Sequence, residues 1–209
     1  MAIATPKQAP LRMTWEEFLA WGDEDTRAEW VDGEVIILSP TSRKHQKQGH
    51  FLLRLICEFL DDNPIGEVFN DVFLMRLPER PSGRMPDILY VSNEHLDRLT
   101  ETYVNGPADL AIEIVSPDSE HRDRTEKLAE YERAGVSEYW WVDEKRQAAR
   151  FFQLGGDGQY QEVFPDEHGV YRSAAITGLW LRLEWLWRTP KPTMREVRKA
   201  WKEADGEQE

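Results

Sequence analysis

The chain has 209 residues, 40% of them hydrophobic, nine of them tryptophan, with a net charge of −13. That length and composition support one substantial packed core with little left for a second, and they exclude a disordered chain. The single cysteine, Cys57, rules out an internal disulfide, and with neither a signal-peptide core nor an 18-residue apolar run the expected setting is soluble and cytoplasmic, away from membranes.

Residues 1–12 carry Pro6 and Pro10 and read as a loose arm, followed by one domain over 13–190 and a charged helical extension over 191–209. Thr14-Trp-Glu-Glu17 forms a capping box that starts a helix running to about Trp21. Ala28–Val31 and Glu34–Leu38 flank Asp32-Gly33, a strong hairpin signal that puts Glu29 on the first strand. Ser39-Pro-Thr-Ser42 ends the hairpin and caps a helix of about 43–60, whose apolar stripe of Leu52, Leu55, Ile56 and Phe59 turns His45 inward. The stretch from Val35 to Cys57 lacks acids and carries Arg43, Lys44, Lys47 and Arg54, either a solvated helix face or a local site for an anion.

Strands are expected at 67–70 and 72–77, then a loop over 77–83 that delivers Arg84 and Asp87 to another strand ending at Val91. A polar, helix-prone insertion over 93–102 precedes the central strand at 109–115. A helix of about 122–134 capped by Gly135, a strand at 138–142 and a hairpin of 148–154 with 160–164 come next. The aromatic-rich segment 176–187 is expected to cover a sheet edge or a partner surface, and a helix of 193–204 follows Pro190 and Pro192. The nine tryptophans also suggest an apolar patch suited to a homodimer.

The unusual residue is Glu113. It lies inside the almost wholly apolar run Leu110–Val115, where an ionised carboxylate costs several kcal/mol unless donors, a cation or a metal meet it. Asp87 leads a similar apolar run, and Asp123, Lys127 and Tyr131 recur at i, i+4 and i+8 on one helical face. Taken singly, Lys127 could be an exposed pair with Asp123, and Asp87 a strand-start residue accepting backbone N–H groups. Cys/His zinc spacing, nucleotide-binding glycine loops and a G-x-S-x-G elbow are absent from the sequence.

The order Glu29, Asp87, Glu113, Lys127, with Ile-Glu-Ile-Val-Ser-Pro at 112–117 and Gly-Val-Ser-Glu-Tyr-Trp-Trp-Val-Asp at 135–143, resembles the Uma2 (DUF820) family of the PD-(D/E)XK nuclease superfamily, from about Trp15 to Trp187. The resemblance implies an α/β restriction-endonuclease-like core, a mixed sheet flanked by helices with additional β-hairpins. It implies an endonuclease that hydrolyses nucleic acid, DNA in the first instance. Asp87, Glu113 and the backbone carbonyl of Ile114 would hold Mg2+ or Mn2+, Glu29 would orient a water or second ion, and Lys127 would serve the attacking water and the phosphate. Val115 stands where the superfamily's lysine is expected, so Lys127 must reach across from the next helix. Arg43, Lys44, His45, Lys47 and Arg84 are the candidate nucleic-acid contacts. A non-catalytic binding or dimerisation module on the same fold is the alternative.

Overall fold

The computed structural model describes residues 10–23, 25–70, 72–79, 81–115 and 122–206, without the side chains of 122–124 and 205. Most of the N-terminal arm expected over 1–12 therefore lies outside the described residues.

Thr14 and Glu17 close the capping box in both directions at the start of α1 (Trp15–Trp21). Asp32 and Gly33 both adopt positive φ, the geometry of a tight hairpin turn, between β1 (Ala28–Val31) and β2 (Glu34–Ile37). Ser42 accepts the His45 N–H to cap α2 (Arg43–Asp62). Then come β3 (Gly66–Asn70), β4 (Leu74–Leu77), β5 (Ser82–Arg84) and β6 (Ile88–Ser92), a 3-10 turn over Asn93–Arg98, β7 (Tyr103–Asn105) and β8 (Leu110–Ile114). A π-helical turn, Arg122–Lys127, leads into α3 (Leu128–Ala134), which ends on left-handed Gly135. The chain closes with β9 (Glu138–Asp143), β10 (Ala148–Leu154), β11 (Tyr160–Val163), β12 (Val170–Arg172), β13 (Trp180–Arg182), a 3-10 turn over Leu183–Leu186 and α4 (Met194–Gly206).

Two large sheets organise these elements, and β12 pairs with β13 in a separate two-stranded sheet. The larger has the order β11-β10-β9-β8-β6-β3, with β8 parallel to β9 and antiparallel to β6; the second has the order β2-β1-β5-β4-β7. The β8-to-β9 crossover through α3 covers one face of the large sheet, where Leu89, Ala111, Tyr131, Tyr139 and Trp141 pack together. On the opposite face α2 lays Leu52, Leu55 and Ile56 against Ile88, Ile112 and Ile114. This is the expected mixed sheet flanked by helices.

Several details differ from the sequence reading. The 77–83 loop contains a strand, β5, because Gly83 lets the Trp15 ring lie on its backbone; a Cβ there would sit 2.3 Å from that ring. The helix expected over 122–134 begins with a π-helical turn, and the insertion at 93–102 is only a short 3-10 turn. In segment 176–187, Ile176, Leu179, Leu181, Trp185 and Leu186 are buried in the main core. The helix of the C-terminal extension also joins that core: Met194 and Val197 are buried, and Trp201 Nε1 donates to the Trp180 carbonyl at 3.0 Å. Among the described residues no helix is long and apolar enough to cross a membrane.

The end of the sheet is locked by Glu138, which is fully buried. Its carboxylate accepts from Tyr171 Oη at 2.6 Å, Trp140 Nε1 at 2.5 Å, Ser173 Oγ at 2.8 Å and the N–H groups of Ala174 and Ala175 at 2.8 and 2.7 Å. Glu138→Leu would leave these donors unpaired and should reduce stability by roughly 3–5 kcal/mol in urea titrations. A loss below about 1 kcal/mol would show that the segment re-pairs its donors without the carboxylate.

Candidate active site

The two lead carboxylates meet because of strand register. Ile88, Leu89 and Tyr90 of β6 oppose Ile112, Ala111 and Leu110 of β8, and continuing that register by one residue sets Asp87 across from Glu113. Asp87 Oδ2 accepts the Ile114 N–H at 2.7 Å, which fixes it at the end of the strand pair. Glu113 is 4% exposed, and its Oε1 accepts from Lys127 Nζ and from Tyr131 Oη, each at 2.8 Å. The i,i+4 spacing of Lys127 and Tyr131 thus aims both donors at one carboxylate. Lys127 is 4% exposed, so the reading of it as a solvent-facing helix residue is set aside; the Asp123 side chain lies outside the described residues.

Lys127 Nζ also lies 2.9 Å from Glu29 Oε1, which joins the second sheet to the first. Glu29 is fully buried, with Oε2 taking Arg84 Nη1 at 2.9 Å and Oε1 the Met85 N–H at 3.3 Å. Both oxygens accept protein donors, so Glu29 holds Lys127 and Arg84 in place. Burial alone would raise its carboxyl, but Lys127 and Arg84 outweigh that and hold it at about 2.

Arg84, expected at a nucleic-acid surface, is instead fully buried and cannot reach one. It spans Glu29 and Glu130, donating to Glu130 from Nε at 3.1 Å and from Nη2 at 2.5 Å, while Ser82 Oγ donates to the same carboxylate. This fork suits a guanidinium better than an ammonium. The sequence reading missed Glu130 and Ser82; an acid on a helix normally faces water, and the only hint was its position three residues after Lys127.

On the other side of Asp87, His45 Nε2 lies 3.2 Å from Oδ2, so His45 faces the carboxylate and not the exposed surface of α2. Burial would lower its imidazole, yet the Asp87 carboxylate prevails and its pKa lies above the ordinary value. Arg43, Lys44 and Lys47 are exposed on α2. A small cleft of about 90 Å3 opens here, with Arg27, His45, Asn70, Asp87 and Ile114 in its walls.

Asp87, Glu113 and the Ile114 carbonyl are the oxygen donors that could take one hard divalent cation. Asp87 Oδ1 has no partner among the described residues; the adjacent Glu113 Oε1 already accepts from Lys127 and Tyr131, and the Ile114 carbonyl meets the His45 imidazole. Four carboxylates (Glu29, Asp87, Glu113, Glu130) face the permanent cations Lys127 and Arg84, with Arg27 and the His45 imidazole on the Asp87 side. Among the described residues no group of three or more His, Cys, Asp or Glu side chains is placed to hold a metal ion.

The lowered Glu29 carboxyl has a stability consequence. Its contribution is present above the unfolded value near 4.5 and is lost as pH falls toward about 2, amounting to roughly 3 kcal/mol. Urea titrations between pH 5 and pH 2 should show Glu29→Gln losing less stability than the wild type by about that amount; parallel curves would mean that Glu29 is not held ionised.

Residues 15–184 match the Uma2 family, described as "Putative restriction endonuclease". Among solved structures, a chain from Anabaena variabilis ATCC 29413, described as "a putative nuclease belonging to DUF820", aligns with a TM-score of 0.68 over 84% of this chain and 97% of that one. At 20% identity that likeness shows a shared fold. No curated protein matches the chain. Since the match spans most of the sequence, from α1 through β13, the chain belongs to the Uma2 family.

Proposed function

We propose that this protein is a metal-dependent endonuclease that hydrolyses phosphodiester bonds in nucleic acid, with DNA as the substrate. The observation that carries this reading is the buried Lys127 ammonium bridging Glu29 and Glu113, one strand from Asp87. A lysine so enclosed is set up as a fixed positive charge beside a group that can hold a metal.

In this reading Asp87, Glu113 and the Ile114 carbonyl hold Mg2+ or Mn2+. When bound, that ion supplies Lewis acidity at the scissile phosphate and a water of lowered pKa. Glu29 and Arg84 position Lys127, whose charge offsets that developing on the phosphate oxygens. Tyr131 keeps the Glu113 carboxylate oriented. His45 steadies Asp87 and closes the side nearest α2. A cytoplasmic homodimer completes the proposal; Trp180 and Trp185 serve the core of each protomer.

One observation favours the alternative of a non-catalytic binding module: Glu113 Oε1 already accepts two protein donors. Calorimetric titration with Mg2+ and Mn2+ separates the readings. The endonuclease binds metal saturably, and Asp87→Asn abolishes that binding while preserving the acceptor for the Ile114 N–H. Absence of saturable binding by the wild type would leave the binding module.

Lys127→Ala should lower cleavage of plasmid DNA by about a hundredfold or more while leaving metal affinity nearly intact, and Lys127→Arg should rescue poorly. Circular dichroism of both variants guards against unfolding of the buried cluster. An unchanged cleavage rate in folded Lys127→Ala would remove Lys127 from the reaction.

A further inference from the structure

A larger cleft, about 630 Å3, runs along the outer side of α2 and is closed on its far wall by residues 188–193, the segment that joins the last 3-10 turn to α4. On a chain of net charge −13, its walls carry Arg43, Lys44, Lys47, Arg54, Arg188 and Lys191 against one carboxylate, Glu144. Lys44 pairs with Glu144 at 3.4 Å and Arg188 with Glu196 at 2.8 Å. Arg43, Lys47 and Arg54 are exposed and make no ion pair among the described residues.

A second feature points to a ligand. Gln48, fully buried, also borders the cleft; its Oε1 accepts from Lys191 Nζ at 2.6 Å, but its Nε2 has no hydrogen-bond partner among the described residues. A buried donor without an acceptor is costly in a folded protein. Gln46 and His50 border both this cleft and the small one at Asp87, so the two are neighbours across these side chains.

We infer that this cleft holds the phosphate backbone of a nucleic-acid strand beside the Asp87 site, with residues 188–193 as its second wall. The inference rests on the endonuclease reading and extends it to residues beyond the family match, which ends at 184. Clustered cations favour a polyanion through counterion release, and the cleft concentrates them on an otherwise acidic chain. Arg84 takes no part, being sealed inside.

The test is fluorescence anisotropy of the full chain with labelled single-stranded and duplex DNA of one sequence, in EDTA over a range of salt. Lys47→Gln/Arg54→Gln should weaken binding by about tenfold at low salt and lower the slope of log K against log salt by about 2, and Arg188→Gln should lower it by about 1. Arg182→Gln, an exposed cation outside the cleft, should match the wild type. Wild-type binding that the cleft variants leave unchanged would place the strand elsewhere, overturning this inference while the endonuclease reading stands on its metal titration. Binding of neither DNA, or equal displacement of the DNA by polyglutamate, would also overturn it.

Discussion

Everything at the site depends on the Lys127 ammonium held between Glu29 and Glu113. The two carboxylates belong to different sheets, and Lys127 lies at the end of a π-helical turn on the crossover between β8 and β9. Beyond Glu29 the chain of charges continues through Arg84 to Glu130 and Ser82. Removing one partner from such a buried set costs roughly 3–5 kcal/mol, because the charge left behind has no water to replace it. The network therefore couples the fold to the candidate chemistry: the residues that join the second sheet to α3 also set the position of the lysine.

That coupling gives the two neighbouring carboxylates different characters. Glu113 is interior and oriented by Lys127 and Tyr131, whereas Asp87 lies at the strand end, its side chain 20% exposed and open to a small cleft. A cation approaching from the cleft meets Asp87 first. The acidity of the whole chain then ceases to be an objection to a phosphate-bearing partner, because the basic residues are gathered along α2 and residues 188–193.

Much of this was legible in the sequence wherever the signal was local. Thr14 and Glu17, Asp32-Gly33, Ser42 and Gly135 each act within a few residues, and each behaves as its chemistry requires. Glu113 stood out because a carboxylate in an apolar strand demands a partner, and the spacing of Lys127 and Tyr131 pointed to one. What escaped depends on residues distant in sequence. Arg84 reads as a surface cation until Glu29 and Glu130, 55 and 46 positions away, close on it. Likewise Lys191 reaches Gln48 across 143 positions, which periodicity cannot convey. Three-residue strands such as β5 and β7 carry too little pattern to register, and β5 is further disguised by Gly83.

The central claim is that Asp87 and Glu113 form one metal-binding pair beside a lysine held in place by Glu29. A crystal soaked with Mn2+ and measured for anomalous scattering tests it most directly. The account predicts a single peak between the Asp87 and Glu113 carboxylates near the Ile114 carbonyl, with Lys127 still in contact with Glu29. No peak there, with Glu113 still engaged only by protein donors and Asp87 unchanged, would contradict it.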